Sequence, residues 1–192
     1  MKHSTEARSA YYQLWLIRQL RPFLESEDLK MVVHALVTLR LNFCNALHIG
    51  LPLCLVWKLQ LVQNMAARLV SATPRGDHIT PVLKSLHWLP ISFRAKYKVF
   101  VITFKALHGW GPGCLWDRLL PYNPPRKLRS SRNNLLQSAK TRLTSITQRT
   151  FSSSAPRLWN GLLEEIHQLD SLSAFKKAIK TDLFRQAYPV EF

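Results

Sequence analysis

Apolar residues recur at helical spacing through most of the chain. Tyr11, Leu14, Trp15 and Leu20 predict a first helix over residues 5–22, closed by Arg21-Pro22. Ser26, with Glu27 and Asp28 behind it, has the chemistry of a helix start: a side-chain oxygen for a free amide, and two acids near the positive end of the dipole. The second helix would bury Leu29, Val32, Val33, Leu36 and Val37. Gly50 and Pro52 punctuate. A third stripe, Leu55, Leu59, Val62, Ala66 and Leu69, steps by four and three, and Gln60, Gln63, Asn64 and Arg68 are read as lying off it. Residues 71–77, SATPRGD, read as a loop.

The densest pattern lies between His78 and Gly109. Thr80-Pro81 predicts a capped helix start, with Leu83 and Leu86 inward and Leu89-Pro90 as its stop. Ser92 is expected to cap the next helix, whose stripe is Phe93, Tyr97, Phe100, Phe104 and Leu107. Gly109 suits the left-handed residue that closes such a helix. On this helix Arg94, Lys98 and Lys105 fall within about 40° of one another. They form either a solvated charged face or a ridge that tracks phosphates.

Beyond it, Gly111-Pro112-Gly113 opens a short helix with Leu115, Trp116 and Leu119. Residues 121–131, PYNPPRKLRSS, break regular structure. Residues 143–147 have weak strand character, which leaves room for a short β-hairpin near 133–150. Residues 151–163 return to helix around Trp159, and Asp170-Ser171 start a last helix with Leu172, Phe175, Ile179 and Leu183 inward and Lys176, Lys177 and Lys180 outward. The expected fold is mainly α, an irregular bundle of about six to eight helices. Four segments follow: a helical 1–72, a central helical 73–121, a basic Pro/Ser-rich loop or β-ribbon over 122–150, and C-terminal helices over 151–192.

Charge changes the picture. The 192 residues hold 27 Lys and Arg against 11 Asp and Glu, a net +16. Residues 51–100 carry seven cations and one acid, and residues 101–150 carry nine and one, while residues 151–192 balance at five and five. An excess confined to the middle hundred residues is what a polyanion-binding surface requires; a solubilising coat would be spread more evenly. The backbone of RNA or DNA is the first expected partner. Candidate contacts are Arg94, Lys98 and Lys105 on the central helix, then Arg126, Lys127, Arg129 and Arg132 around the proline-rich turn, then Lys140 and Arg142. Trp88, Trp110 and Tyr122 are aromatic residues that stack bases if exposed and serve as core if buried.

Enzyme signatures are sparse. GxGxxG, P-loop, GxSxG and HExxH motifs are absent, and the few close acids read as helix-start or solvated groups. No catalytic residue, cofactor or metal is expected. Cys44, Cys54, His78 and His87 have ligand chemistry but not the spacing of a common zinc finger. His87 and His108 are expected to bond backbone groups at helix ends. Three cysteines without CxxC fit a reducing compartment, nuclear or cytoplasmic, and neither a signal peptide nor a membrane-length apolar run is visible, so no membrane partner is expected.

A series of motifs then resembles one family. Asn42-Phe43-Cys44-Asn45-Ala46-Leu47 with Gly50-Leu51-Pro52 is followed by Leu59 to Asn64, LQLVQN, and Ala66-Ala67-Arg68-Leu69. His78-Ile79-Thr80-Pro81-Val82-Leu83, Leu86-His87-Trp88-Leu89-Pro90 and Thr103-Phe104-Lys105-Ala106-Leu107-His108-Gly109 come next. Leu128-Arg129-Ser130, Ala155-Pro156-Arg157-Leu158-Trp159-Asn160 and Ser171-Leu172 with Phe175-Lys176 complete it. In this order they resemble the C-terminal, thumb and post-thumb region of LINE-type, jockey-like non-LTR retrotransposon reverse transcriptases. Several turn positions depart from the family pattern, among them Trp110, Gln137-Ser138 and Leu163.

The resemblance implies a helical segment that grips template RNA and primer DNA and that partners a palm and fingers carried elsewhere in a polymerase. The family's catalytic aspartates lie upstream of the matched region, so none is carried over. Two other readings stand beside it: a helical protein-interaction module whose apolar stripes lack their parent enzyme, and a retroelement remnant without a selected function.

Overall fold

The structure is a computed structural model that describes residues 2–123, 135–138 and 150–189, with side chains from residue 7 onward. It is mainly α. Among the described residues seven helices run for seven residues or more: α1 (Lys2–Leu20), α2 (Ser26–Val33), α3 (Leu53–Ser71), α4 (Ile79–Ser85), α5 (Ile91–Leu107), α6 (Phe151–Trp159) and α7 (Leu172–Ala187). The hairpin expected near 133–150 falls mostly outside the described residues. Within them Leu136 forms an isolated antiparallel bridge with Pro121.

The chain divides into two compact units, residues 1–94 with 187–192, and residues 95–186. The boundary falls within α5, because the Leu89-Pro90 turn and the first turn of α5 are bonded back to α3.

In the first unit Ala7, Ala10, Leu14 and Ile17 of α1 meet Leu29, Val33, Val37 and Leu41 and, from α3, Leu59, Val62 and Ala66. Each large aliphatic side chain buried here contributes about 1.5–3 kcal/mol. Of the apolar residues that predict α1, Leu14 is buried while Trp15 and Leu20 are exposed, and the small Ala7 and Ala10 lie inward. Alanine there lets a neighbouring backbone approach, while Tyr12 and Trp15 stack on each other on the outer side. The second stripe also shifts. Leu36 is exposed, and the buried line runs Leu29, Val33, Val37, Leu41 through a π-helical turn at His34–Thr38. Ser26 is the first residue of α2 rather than its cap; Glu25 occupies that place, its carbonyl accepting from the Leu29 N–H at 2.9 Å.

The central helix boundaries also differ from expectation. α4 starts at Ile79, so Thr80 and Pro81 lie inside its first turn. It stops before Leu89-Pro90. His87 adopts a left-handed φ of 53°, its N–H reaching the Lys84 carbonyl at 3.1 Å and the Trp88 N–H reaching that of Leu83 at 2.9 Å. That pair of bonds is the Schellman closure. The same closure ends α5 as the sequence predicts: Gly109 has φ 71°, with Gly109 N–H on Ala106 O and Trp110 N–H on Lys105 O. Ser92 does not cap α5, which already begins at Ile91.

In the second unit Phe104, Trp159 and Phe175 are the most deeply buried large rings, with Phe100 also buried. Phe104 stacks on Phe175 at 4.2 Å between centroids, and Trp159 lies parallel to His167 at 5.0 Å. Phe175, Ile179 and Leu183 face inward from α7, as its stripe predicts. The Asn160 side chain clamps the backbone of Leu136, accepting from its N–H at 2.9 Å and donating to its carbonyl at 2.8 Å.

Candidate nucleic-acid interface

The central helix separates its three candidate cations. Arg94 sits in the first unit, in a partly buried position. Its Nε donates to the Leu89 carbonyl at 2.8 Å and its Nη1 to Asn42 Oδ1 at 3.2 Å, while the guanidinium lies 5.7 Å from the centre of the Trp88 ring. Burial pushes its pKa down to about 10, against the opposing pull of the neighbouring Tyr188 phenol. The group stays charged at neutral pH, with Nε and Nη1 donating to the protein. It ties the Leu89-Pro90 turn to Asn42.

Lys98 and Lys105 are placed differently. Both lie in the second unit, two turns apart on one side of α5. Lys98 is exposed and Lys105 half-buried. Long lysine stems along an apolar helix lay their methylenes on the protein and keep the ammonium in water. Phe100 and Phe104 on the same helix are buried, so an aromatic interior and an outward cation coexist on it. Arg126, Lys127, Arg129, Arg132, Lys140 and Arg142 lie outside the described residues.

The three aromatic candidates divide as well. Trp110 is 54% exposed and Tyr122 45% exposed, enough ring for a base to stack on. Trp88 is partly buried, packs against the core of the first unit and lies under Arg94.

The Leu86 to Arg94 stretch is a polar knot. The Leu89 carbonyl accepts twice, from Arg94 Nε and from Gln63 Nε2, each at 2.8 Å. The Ile91 N–H donates to Gln60 Oε1 at 2.9 Å, so a side chain of α3 caps α5 where Ser92 was expected to. Gln60 in turn donates to Asn64 Oδ1. The Tyr188 hydroxyl donates to the Trp88 carbonyl at 2.5 Å, and burial pushes that phenol up to about 12, with Arg94 pulling the other way. Prolines and left-handed residues leave helix-end backbone groups without internal partners, and these side chains satisfy them.

The sequence reading missed Gln60, Gln63 and Tyr188 in these roles. Gln63 was legible. It stands four residues after Leu59 and three before Ala66, on the inward face, and is 1% exposed. The contacts of Gln60 and Tyr188 span 31 and 100 residues of chain and leave no local signal.

Among the described residues no three His, Cys, Asp or Glu side chains group to hold a metal, so Cys44, Cys54, His78 and His87 do not assemble a site. His108 Nδ1 meets the Phe104 carbonyl at 2.9 Å, the helix-end bond expected of it. No helix among the described residues is long and apolar enough to cross a membrane. No protein-family model, no curated protein and no solved structure matches the chain.

Proposed function

We propose that this chain is a non-catalytic nucleic-acid-binding segment of a retroelement-type RNA-directed DNA polymerase, holding RNA or DNA by its phosphates. One observation carries the reading. Eleven acids cannot pair 27 cations, and residues 51–150 hold sixteen cations against two acids. An excess of this size favours a polyanion, and a phosphate backbone meets it without base-specific contacts. The outward Lys98 and the half-exposed Trp110 and Tyr122 supply a phosphate contact and stacking surfaces. The ordered motif resemblance adds the polymerase context, and the palm with its aspartates is the remaining part of such an enzyme.

The test is a binding titration of a single-stranded RNA and a primer–template duplex against salt. Each phosphate neutralised adds a slope of about −0.9 on duplex and about −0.7 on single strands to log K against log salt. Charge reversal at Lys98, Lys105, Arg126, Lys127, Arg129 and Arg132 is expected to flatten the slope and weaken binding by at least about a hundredfold. Absence of affinity at low salt, or affinity indifferent to these reversals, overturns the reading.

A second reading, a helical protein-interaction module, is favoured by a separate observation. The first unit exposes Phe23, Met31, Leu39, Phe43, Leu53 and Trp57, each by more than half of its surface. Apolar surface in such quantity marks an interaction face.

A further inference from the structure

We propose that the outward side of α3 is a docking ridge for an amphipathic helix with an acidic flank, donated by another polypeptide. The proposal rests on the second reading above and is independent of nucleic-acid binding.

The ridge is set by spacing. Leu53, Trp57, Leu61 and Met65 follow one another at intervals of four, 86, 60, 37 and 42% exposed. The same helix buries Leu59, Val62, Gln63, Ala66 and Ala67 on its other side. α3 is therefore apolar on two faces, and among the described residues of the first unit one of them is exposed. A row of side chains four apart is the ridge that enters the groove of a second helix, with the two axes crossing at about −50°. An aromatic residue within such a row is the usual centre of binding energy.

Beside the ridge lies a hollow of about 490 Å³, lined by Leu53, Cys54, Val56, Trp57, Gln60 and Ser92. Its polar edge is fixed, because Gln60 is tied at one end to the Ile91 N–H and at the other to Asn64. A side chain of the incoming helix would seat there without that edge having to reorganise.

Charge selects the occupant. α3 carries Lys58 and Arg68 and no acid. Arg68 donates to the carbonyls of Pro74 and Asp77, and Lys58 stands exposed beside the ridge. A second copy of the chain would bring the same +16 against itself. A phosphate backbone would meet hydrocarbon where it needs cations. A helix with leucine-like residues on one side and glutamates flanking them matches both the ridge and its charge.

The experiment uses the full chain and three labelled peptides. One has leucines at i, i+3, i+4 and i+7 with glutamates elsewhere, the second has lysines in place of the glutamates, and the third has the first composition scrambled. Peptide anisotropy reports binding, and alkylation mapped by mass spectrometry reports the exposed Cys54 and Cys114 separately. The acidic helix is expected to bind, to protect Cys54 and to leave Cys114 reactive. Trp57→Ser and Leu61→Ser should each weaken it at least about tenfold with an unchanged thermal melt. Should a variant fail to fold, Cys54 protection in the unmodified chain decides.

Equal binding of the basic or scrambled peptide, or no protection of Cys54, overturns the proposal. So does concentration-dependent dimerisation that shields Cys54 without peptide, or shielding of Cys54 by an RNA oligonucleotide. RNA affinity that survives Leu61→Ser while peptide binding is lost separates this site from the cationic one.

Discussion

The turn at residues 86–94 and the outward ridge of α3 invert the usual order of protein surfaces. In the turn, Gln63, Asn42 and Arg94 point inward, and their polar atoms hold backbone groups that helix ends leave without partners. On the ridge, leucine, tryptophan and methionine point outward. Polarity alone assigns neither face. The turn is polar because two helices end and begin there, and a buried carbonyl without a partner costs more than the side chain that satisfies it. The ridge is apolar, and among the described residues of its own unit its side chains stand exposed. The difference teaches that residue type tells where a side chain belongs only once its partner is counted.

The largest test of the contrast is Arg94→Ala. It removes charge-assisted bonds to Leu89 and Asn42 and the packing over Trp88, and should cost about 3 kcal/mol in urea unfolding. RNA affinity of the folded fraction should change less than it does for Lys98→Ala. A stable Arg94→Ala protein with weakened RNA binding would return Arg94 to the cationic surface.

A smaller effect is expected from Tyr188→Phe, which deletes one hydroxyl bond to the Trp88 carbonyl and should cost about 1 kcal/mol near neutral pH. The folded phenol titrates near 12 against about 10 when unfolded. Its stabilisation is complete below pH about 10 and lost as pH rises toward 12, because the folded state holds the proton longer. Arg94, depressed by burial, works in the opposite direction across the same range. Phenol absorbance should therefore show a late step in the parent protein that Tyr188→Phe lacks.

The smallest effect belongs to the ridge. Leu53→Ser should shift unfolding by no more than about 0.5 kcal/mol, since its side chain is 86% exposed. A loss on the scale of Arg94→Ala would mean that the ridge supports the fold and that the two regions are alike.

The helices were legible because period and punctuation agree. The α7 stripe of Phe175, Ile179 and Leu183 and the Gly109 closure of α5 can be read directly from spacing. α1 was readable as a helix from its apolar spacing but not as a face: large Trp15 lies outward, and small Ala7 and Ala10 lie inward. The caps at Thr80 and Ser92 failed for a related reason. A hydroxyl near a helix start is a local cue, and α5 is capped from 31 residues away by Gln60. The proposed cationic surface is a reading of composition, and position enters it only through the helical wheel of α5. Arg94 shares a helix line with Lys98 and Lys105, yet its depth is set by Leu89, Asn42 and Trp88, which the helical wheel does not contain.

The Gln60 cap also dictates an order of events. Until α3 is folded and in place, the amide that opens α5 has only water to bond, so the first turn of α5 should fray in any intermediate that lacks α3. Hydrogen exchange at Ile91 then reports on docking rather than on helix formation: a peptide spanning residues 86–109 alone would exchange that amide freely, however helical its middle became.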